Sequence, residues 1–392
     1  MAGWNRRTKA GIGAAVSPAR DDVGKTAMID LLLAAGLAVA ANCDLERPSG
    51  APGCTRAAVD ALPMNAIQVV GTHNSYKQAI APAEMALLRM AKADLAATLD
   101  YAHAPLTDQL NADVRQLEID LLNDPEGGRY ADPLAMRMAK NAAASPYDFT
   151  ALKAPGFKVM HVQDIDYRSN CPTFLGCLAE IRAWSKAHPD HVPILVIMNL
   201  KEGGIGLPGA TVALPFDLKA MDQIDADIRS VFPESALITP DKVQGKAPTL
   251  AAAVKAGGWP SLKAARGKVM FAIDESGAKP ALYRGARRSL EGRAMFINTD
   301  EGPAAGYVTL NEPEALKARI DAALAGGLIV RTRADADTLE ARANDRARQT
   351  AAFASGAQYV STDYLKPDAR FGPYEVRLPG GGTARLNPKT GK

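Results

Sequence analysis

From Leu62 onward, short runs rich in Val, Ile, Leu and Met recur, separated by Ala-rich stretches of helical period. Eight runs are expected to be strands: Ile67–Gly71, Val114–Asp120, Lys158–His161, Ile194–Leu200, Lys268–Ile273, Met295–Thr299, Leu328–Thr332 and Tyr359–Thr362. Most are apolar on both faces, as strands covered by helices outside and packed core inside should be. Helical candidates lie between them: Ala179–Ala187, Leu218–Val231, Leu250–Ala256, Glu314–Ala325 and Asp337–Ala354. Alternation repeated eight times predicts an α/β fold, a (β/α)8 TIM barrel forming a single domain over residues 63–366. A doubly wound open sheet is the alternative. The longest insertion, Gly203–Gly267, falls between expected strands four and five. Its Gly203-Gly204-Ile205-Gly206 does not open a helix as a phosphate-binding loop would, and is read as a flexible lip. Residues 367–392, rich in Pro and Gly, are expected to form a tail wrapping the barrel.

A barrel should gather polar residues at the C-terminal ends of its strands. Here the expected strands run into His73-Asn74, Glu118-Ile119-Asp120, His161, Asn199-Leu200-Lys201-Glu202, Asp274-Glu275, Asn298-Thr299-Asp300, Arg331-Thr332-Arg333 and Thr362-Asp363-Tyr364. Of only five histidines, two lie at strand ends. Two imidazoles beside an oxygen-rich metal site are equipped for in-line attack on a phosphodiester, His73 accepting a proton and His161 returning one. Glu118 and Asp120, two apart on a strand, share a face, and their mutual repulsion calls for a divalent cation. With Asn74 adding an amide oxygen, the donors are all oxygen, favouring Ca²⁺ or Mg²⁺ over zinc. The bland alternative is a pair facing solvent or tied to Arg115. Asp164 and Asp166 either orient His161 or cap the next segment, while His103, His188 and His191 read as surface residues.

The N-terminus changes the picture of location. Basic residues Arg6, Arg7, Lys9, Arg20 and Lys25 precede an uncharged apolar run, Leu31–Ala41, too short to span a bilayer. Residues 1–40 are therefore expected to be a targeting segment and 41–62 a disulfide-bearing lead-in, giving a secreted or periplasmic bacterial protein. An amphipathic cytoplasmic helix is the alternative. The four cysteines fall into close pairs, Cys43 with Cys54 and Cys171 with Cys177, which suits two local disulfides in an oxidising compartment. Lipid attachment at Cys43 is a rival that would leave Cys54 unpaired. A net charge of +3 without basic clusters argues against nucleic acid. Hydrophobic (47%) and charged (23%) contents are those of a globular chain, and a monomer is expected.

Several fragments together resemble the calcium-dependent phosphatidylinositol-specific phospholipase C family: Gly71-Thr72-His73-Asn74-Ser75-Tyr76, Leu117-Glu118-Ile119-Asp120 and Met160-His161. Cys171–Leu178 and Ile181–Pro189 are similar to its secreted bacterial branch. The resemblance implies a TIM barrel that cleaves phosphatidylinositol into diacylglycerol and an inositol phosphate through a cyclic phosphate. It matches His73 and His161 to the catalytic histidines, and Asn74, Glu118 and Asp120 to three ligands of one Ca²⁺ ion, with Mg²⁺ less favoured. The fourth ligand, a glutamate in the family, falls on Asn199, which removes a negative charge and predicts looser calcium binding. Lys201 shares the face of Asn199, and Arg331, Arg333 and Tyr364 fall where headgroup contacts would lie, so these four are substrate-binding candidates. Glu202 is the alternative fourth ligand.

Two other functions remain open. A glycerophosphodiester phosphodiesterase would keep barrel and metal but use water as nucleophile. A non-catalytic secreted barrel binding lipid or glycan would need neither histidine. Contact with a membrane surface would require apolar side chains on the active-site rim, for which Trp259, Leu262, Met85, Leu87 and Leu88 are the candidates.

Overall fold

The computed structural model describes residues 39–139 and 146–391, so the targeting segment expected over 1–40 lies almost wholly outside it. Eleven strands are described: β1 (Ile67–Thr72), β2 (Gln116–Leu122), β3 (Lys158–Val159), β4 (Ile194–Lys201), β5 (Leu237–Ile238), β6 (Val269–Ile273), β7 (Met295–Ile297), β8 (Tyr307–Thr309), β9 (Ile329–Arg333), β10 (Tyr359–Thr362) and β11 (Ala384–Leu386). Parallel pairings run β1–β2–β4–β6–β7 and β8–β9–β10–β1. A parallel bridge from Asn298 to Tyr307 joins β7 to β8 and closes an eight-stranded ring. This is the TIM barrel that the alternation predicts.

Two members of the ring differ from expectation. Lys158–His161 is not its third strand: β3 is two residues long and pairs antiparallel with Leu121–Leu122, as the arm of a hairpin above β2. A short apolar run looks the same in either role. The missing member is β8, three residues long, and no helix separates it from β7. The long insertion therefore lies between the third and fourth ring strands, β4 and β6. Its helix Leu218–Val231 packs outside the ring, and β5 pairs with β6.

Burial follows from this layering. Ile194–Met198 of β4 is buried throughout, between the barrel interior and helices Phe174–Ala187 and Leu218–Val231. The rim assignments of Trp259 and Leu262 are corrected. Trp259 is 4% and Leu262 0% exposed, and the Trp259 indole donates to the Gly327 carbonyl just before β9, at the N-terminal end of the barrel. Met85 is also buried, in a satellite cluster with Ile80, Leu99 and Ile165. The tail adds β11 antiparallel to Ile67–Val69, on the edge of β1 that meets β2 only higher up, at Gly71. Both expected disulfides, Cys43–Cys54 and Cys171–Cys177, are formed.

Candidate active site

β1 delivers Thr72-His73-Asn74-Ser75 into a tight turn over β2. Asn74 sits at φ 47°, left-handed backbone that asparagine tolerates better than most residues. Thr72 Oγ1 lies 2.6 Å from Ser75 Oγ, which accepts from the Glu118 N–H at 2.8 Å, while the Ser75 N–H donates to the Glu118 carbonyl at 2.9 Å. The two small hydroxyl residues thus dock the histidine turn onto the strand carrying the acidic pair.

His73 Nδ1 donates to Asp363 Oδ1 at 2.8 Å, fixing the tautomer that leaves Nε2 free to take a proton. Nε2 stands 3.8 Å from Glu118 Oε1 and 3.4 Å from the Arg333 guanidinium. Burial, helped by Arg333, holds the imidazole below its ordinary value despite Glu118 and Asp363, so His73 is neutral near pH 7. Burial alone would raise the Asp363 carboxyl, but His73 and Arg333 outweigh it and hold the group well below the carboxylate range. Asp363 was missed as a functional residue. Ring closure identifies it, because β10, whose end it follows, must lie beside β1.

His161 is oriented in the same way: its Nδ1 lies 2.8 Å from Asp166 Oδ2, across a turn in which Val162 and Asp166 exchange backbone bonds. Asp166 therefore takes the orienting role. Asp164 takes the capping role, accepting from the backbone N–H of Leu134 at 2.9 Å and of Thr211 at 2.6 Å. His103 and His191 are not surface residues. His103 is half-buried with Nε2 2.9 Å from the His73 carbonyl, and His191 is 2% exposed; burial pushes each down to about 4.

Glu118 and Asp120 share one face of β2, and the register sets Asp120 beside Asn199 on β4. The Asn199 amide donates to Glu118 Oε1 at 2.7 Å. Each carboxylate also meets a cation: Arg331 donates to Glu118 Oε2 at 2.6 Å, and Lys201 Nζ lies 2.9 Å from Asp120 Oδ2. Asp120 is fully buried, and while Oδ2 is paired with Lys201, Oδ1 has no hydrogen bond among the described residues. The Asn74 amide donates to the Tyr101 hydroxyl at 2.8 Å.

Three of the four substrate-binding candidates are brought to this centre, each beside a carboxylate. Arg331 is 1% exposed and engaged with Glu118 and Asn311, Arg333 is paired with Asp363, and Lys201 faces Asp120. Tyr364 does not join the group: its ring packs against Phe371 and Tyr374, and its hydroxyl has no hydrogen-bond partner. Glu202 turns away to accept from the Phe216 N–H at 2.5 Å and cannot replace Asn199.

In donor chemistry these residues fit a hard divalent cation. Two buried carboxylates and two asparagines are present, and Oδ1 of Asp120, buried without a hydrogen bond among the described residues, is what a cation would take up. Among the described residues no three His, Cys, Asp or Glu side chains gather as a metal cage.

A closed eight-stranded barrel whose strand ends run into two carboxylate-oriented imidazoles and an acidic pair is an α/β scaffold of the TIM-barrel class. The family model for Ca²⁺-dependent phosphoinositide phospholipase C matches residues 62–388. The chain belongs to this family of phosphodiesterases. Among solved structures it is similar to the calcium-dependent phosphoinositol-specific phospholipase C of Pseudomonas sp. in its myoinositol complex, at 18% identity and a TM-score of 0.50, covering 83% of this chain and 96% of that one. It is also similar to the Ca²⁺-dependent phosphatidylinositol-specific phospholipase C of Streptomyces antibioticus, at 20% identity and a TM-score of 0.48, covering 77% and 95%. At these identities the likeness is one of fold. No curated protein matches the chain.

Proposed function

We propose that the protein cleaves phosphatidylinositol, or a close relative, between phosphate and glycerol. The headgroup 2-hydroxyl attacks phosphorus, His73 Nε2 takes its proton, and His161 Nε2 protonates the departing glyceride oxygen, leaving diacylglycerol and a cyclic inositol phosphate. The observation that carries this reading is the pairing of both Nδ1 atoms with buried carboxylates, Asp363 and Asp166, so that each ring presents Nε2 as its reactive atom. Asn74, Glu118, Asp120 and Asn199 would hold one Ca²⁺ ion in preference to Mg²⁺. Bound there, it supplies positive charge against the developing charge on phosphate.

Transient contact with a bilayer is supported by large exposed apolar side chains on segments that follow β1, β2, β4 and β9. Met90, Leu95, Met138, Leu207, Val212 and Leu339 are these side chains. Export to an oxidising compartment is supported by the two disulfides. The deciding experiment incubates purified protein with a phospholipid panel, with Ca²⁺ or chelator, and identifies products by phosphorus NMR. A cyclic phosphate that appears only with Ca²⁺ is the expected result. A linear phosphomonoester formed directly, with no cyclic phosphate before it, assigns water as nucleophile, and no turnover rejects the enzyme.

A further inference from the structure

Lys77 follows the His73 turn and is 0% exposed. Its ammonium donates to the carbonyls of Leu99 at 2.9 Å and Tyr101 at 2.8 Å, and stands 3.2 Å from Asp166 Oδ1. With the Gln78 carbonyl at 3.4 Å, the ammonium sits among three carbonyls and one carboxylate oxygen. It also lies 4.7 Å from the centre of the Tyr101 ring, whose hydroxyl accepts from the Asn74 amide and lies 3.3 Å from His73 Nδ1. The other oxygen of Asp166, Oδ2, holds His161 Nδ1 at 2.8 Å. An antiparallel bridge between Lys77 and Ser169 ties the same two segments through the backbone.

Burying an ammonium costs several kcal/mol, and well-packed apolar residues commonly replace such pairs without loss of stability. The arrangement is therefore better explained by what it positions than by what it stabilises. We infer that Lys77 is a positioning residue for the proton donor: it pins Asp166 Oδ1 so that Oδ2 meets His161 Nδ1 and Nε2–H faces the leaving group. Its charge also offsets that of Asp166. Without that offset the carboxylate would hold the imidazolium proton more tightly and slow its transfer. The step served is breakage of the phosphorus–oxygen bond, whose electron pair goes to the glyceride oxygen as that oxygen takes the Nε2 proton. This inference rests on the acid role proposed for His161.

The test compares wild type with Lys77→Met on two substrates: phosphatidylinositol, whose alkoxide must be protonated to leave, and an inositol phosphodiester of p-nitrophenol, whose phenolate leaves unaided. We expect kcat on the lipid to fall about a hundredfold with KM within about twofold, and kcat on the aryl ester to fall less than about threefold. Nitrogen NMR of His161 should show proton on Nδ1 in wild type and a mixture of tautomers in the variant. Should Lys77→Met not fold, Asp166→Asn carries the same contrast. Equal losses on both substrates, or no loss on either, overturn the inference while the wild-type activity stands. A wild type inert on both overturns the acid role and the inference with it.

Discussion

The two ends of the barrel handle buried charge in opposite ways. At the base, Arg115 precedes β2 and is 2% exposed, with every arm of its guanidinium engaged. Nε donates to Glu46 Oε2 at 2.6 Å, NH1 donates to the Leu110 and Val114 carbonyls, NH2 pairs with Glu46 Oε1, and Trp184 covers the plane at 4.7 Å. Glu46 Oε2 also accepts from the Val192 N–H at 3.0 Å, tying the lead-in to the approach to β4. At the mouth, Asp120 Oδ1, Arg331 Nε and Arg333 Nε are buried without a hydrogen bond among the described residues. A saturated charge locks elements together. One with valences to spare can still take up a ligand or a proton.

Removing the imidazole at the mouth should have the largest effect. His161→Ala is expected to lower kcat on phosphatidylinositol about 10⁴-fold while leaving the melting temperature unchanged, measured by product release and circular dichroism. The contrast sharpens at the base, where Arg115→Met strands Glu46. Unfolding in urea should show a loss of about 3–5 kcal/mol, with kcat of the folded fraction preserved. If Arg115→Met silences the enzyme without destabilising it, the division between the ends fails.

A smaller effect comes from His191, whose Nε2 and Nδ1 lie 2.8 Å from Ser185 Oγ and 2.6 Å from the Val192 carbonyl. Its folded value of about 4 lies below the ordinary 6.5, so between these values the unfolded chain binds a proton that the folded one does not. The stabilisation is complete above pH 6.5 and drains away as pH falls toward about 4. It amounts to about 3 kcal/mol, and urea titrations of His191→Asn should show a correspondingly shallower pH slope. Smallest of all, Asn199→Glu restores a negative charge at the mouth and should tighten calcium binding about tenfold by calorimetry. Lys201→Met should move affinity the same way by freeing Asp120.

Legibility in the sequence followed the range of the interaction. The His73-Asn74 turn and the Glu118/Asp120 pair are local, and strand periodicity alone puts them on a common end of the barrel. The hairpin of β3 and the three residues of β8 were misjudged because partners distant in sequence, not propensity, decide where such short runs pair. Asp363 meets His73 from 290 positions away, and Lys77 meets Asp166 across four intervening α-helices, so neither contact has a local signature. Trp259 and Leu262 looked like a rim because an insertion's apolar residues do not announce which end of a barrel they cover. His191 looked exposed because its loop context hides the Trp184 ring 5.5 Å away.

The antiparallel strand Ala384–Leu386 has a consequence for biosynthesis. Ile67 finds its partner in Leu386, so the ribosome must deliver every other strand of the barrel before the first is clothed on that side. Until then the lower edge of β1 lacks that partner. Any translocation machinery that threads polypeptides through a pore in extended form gains that delay.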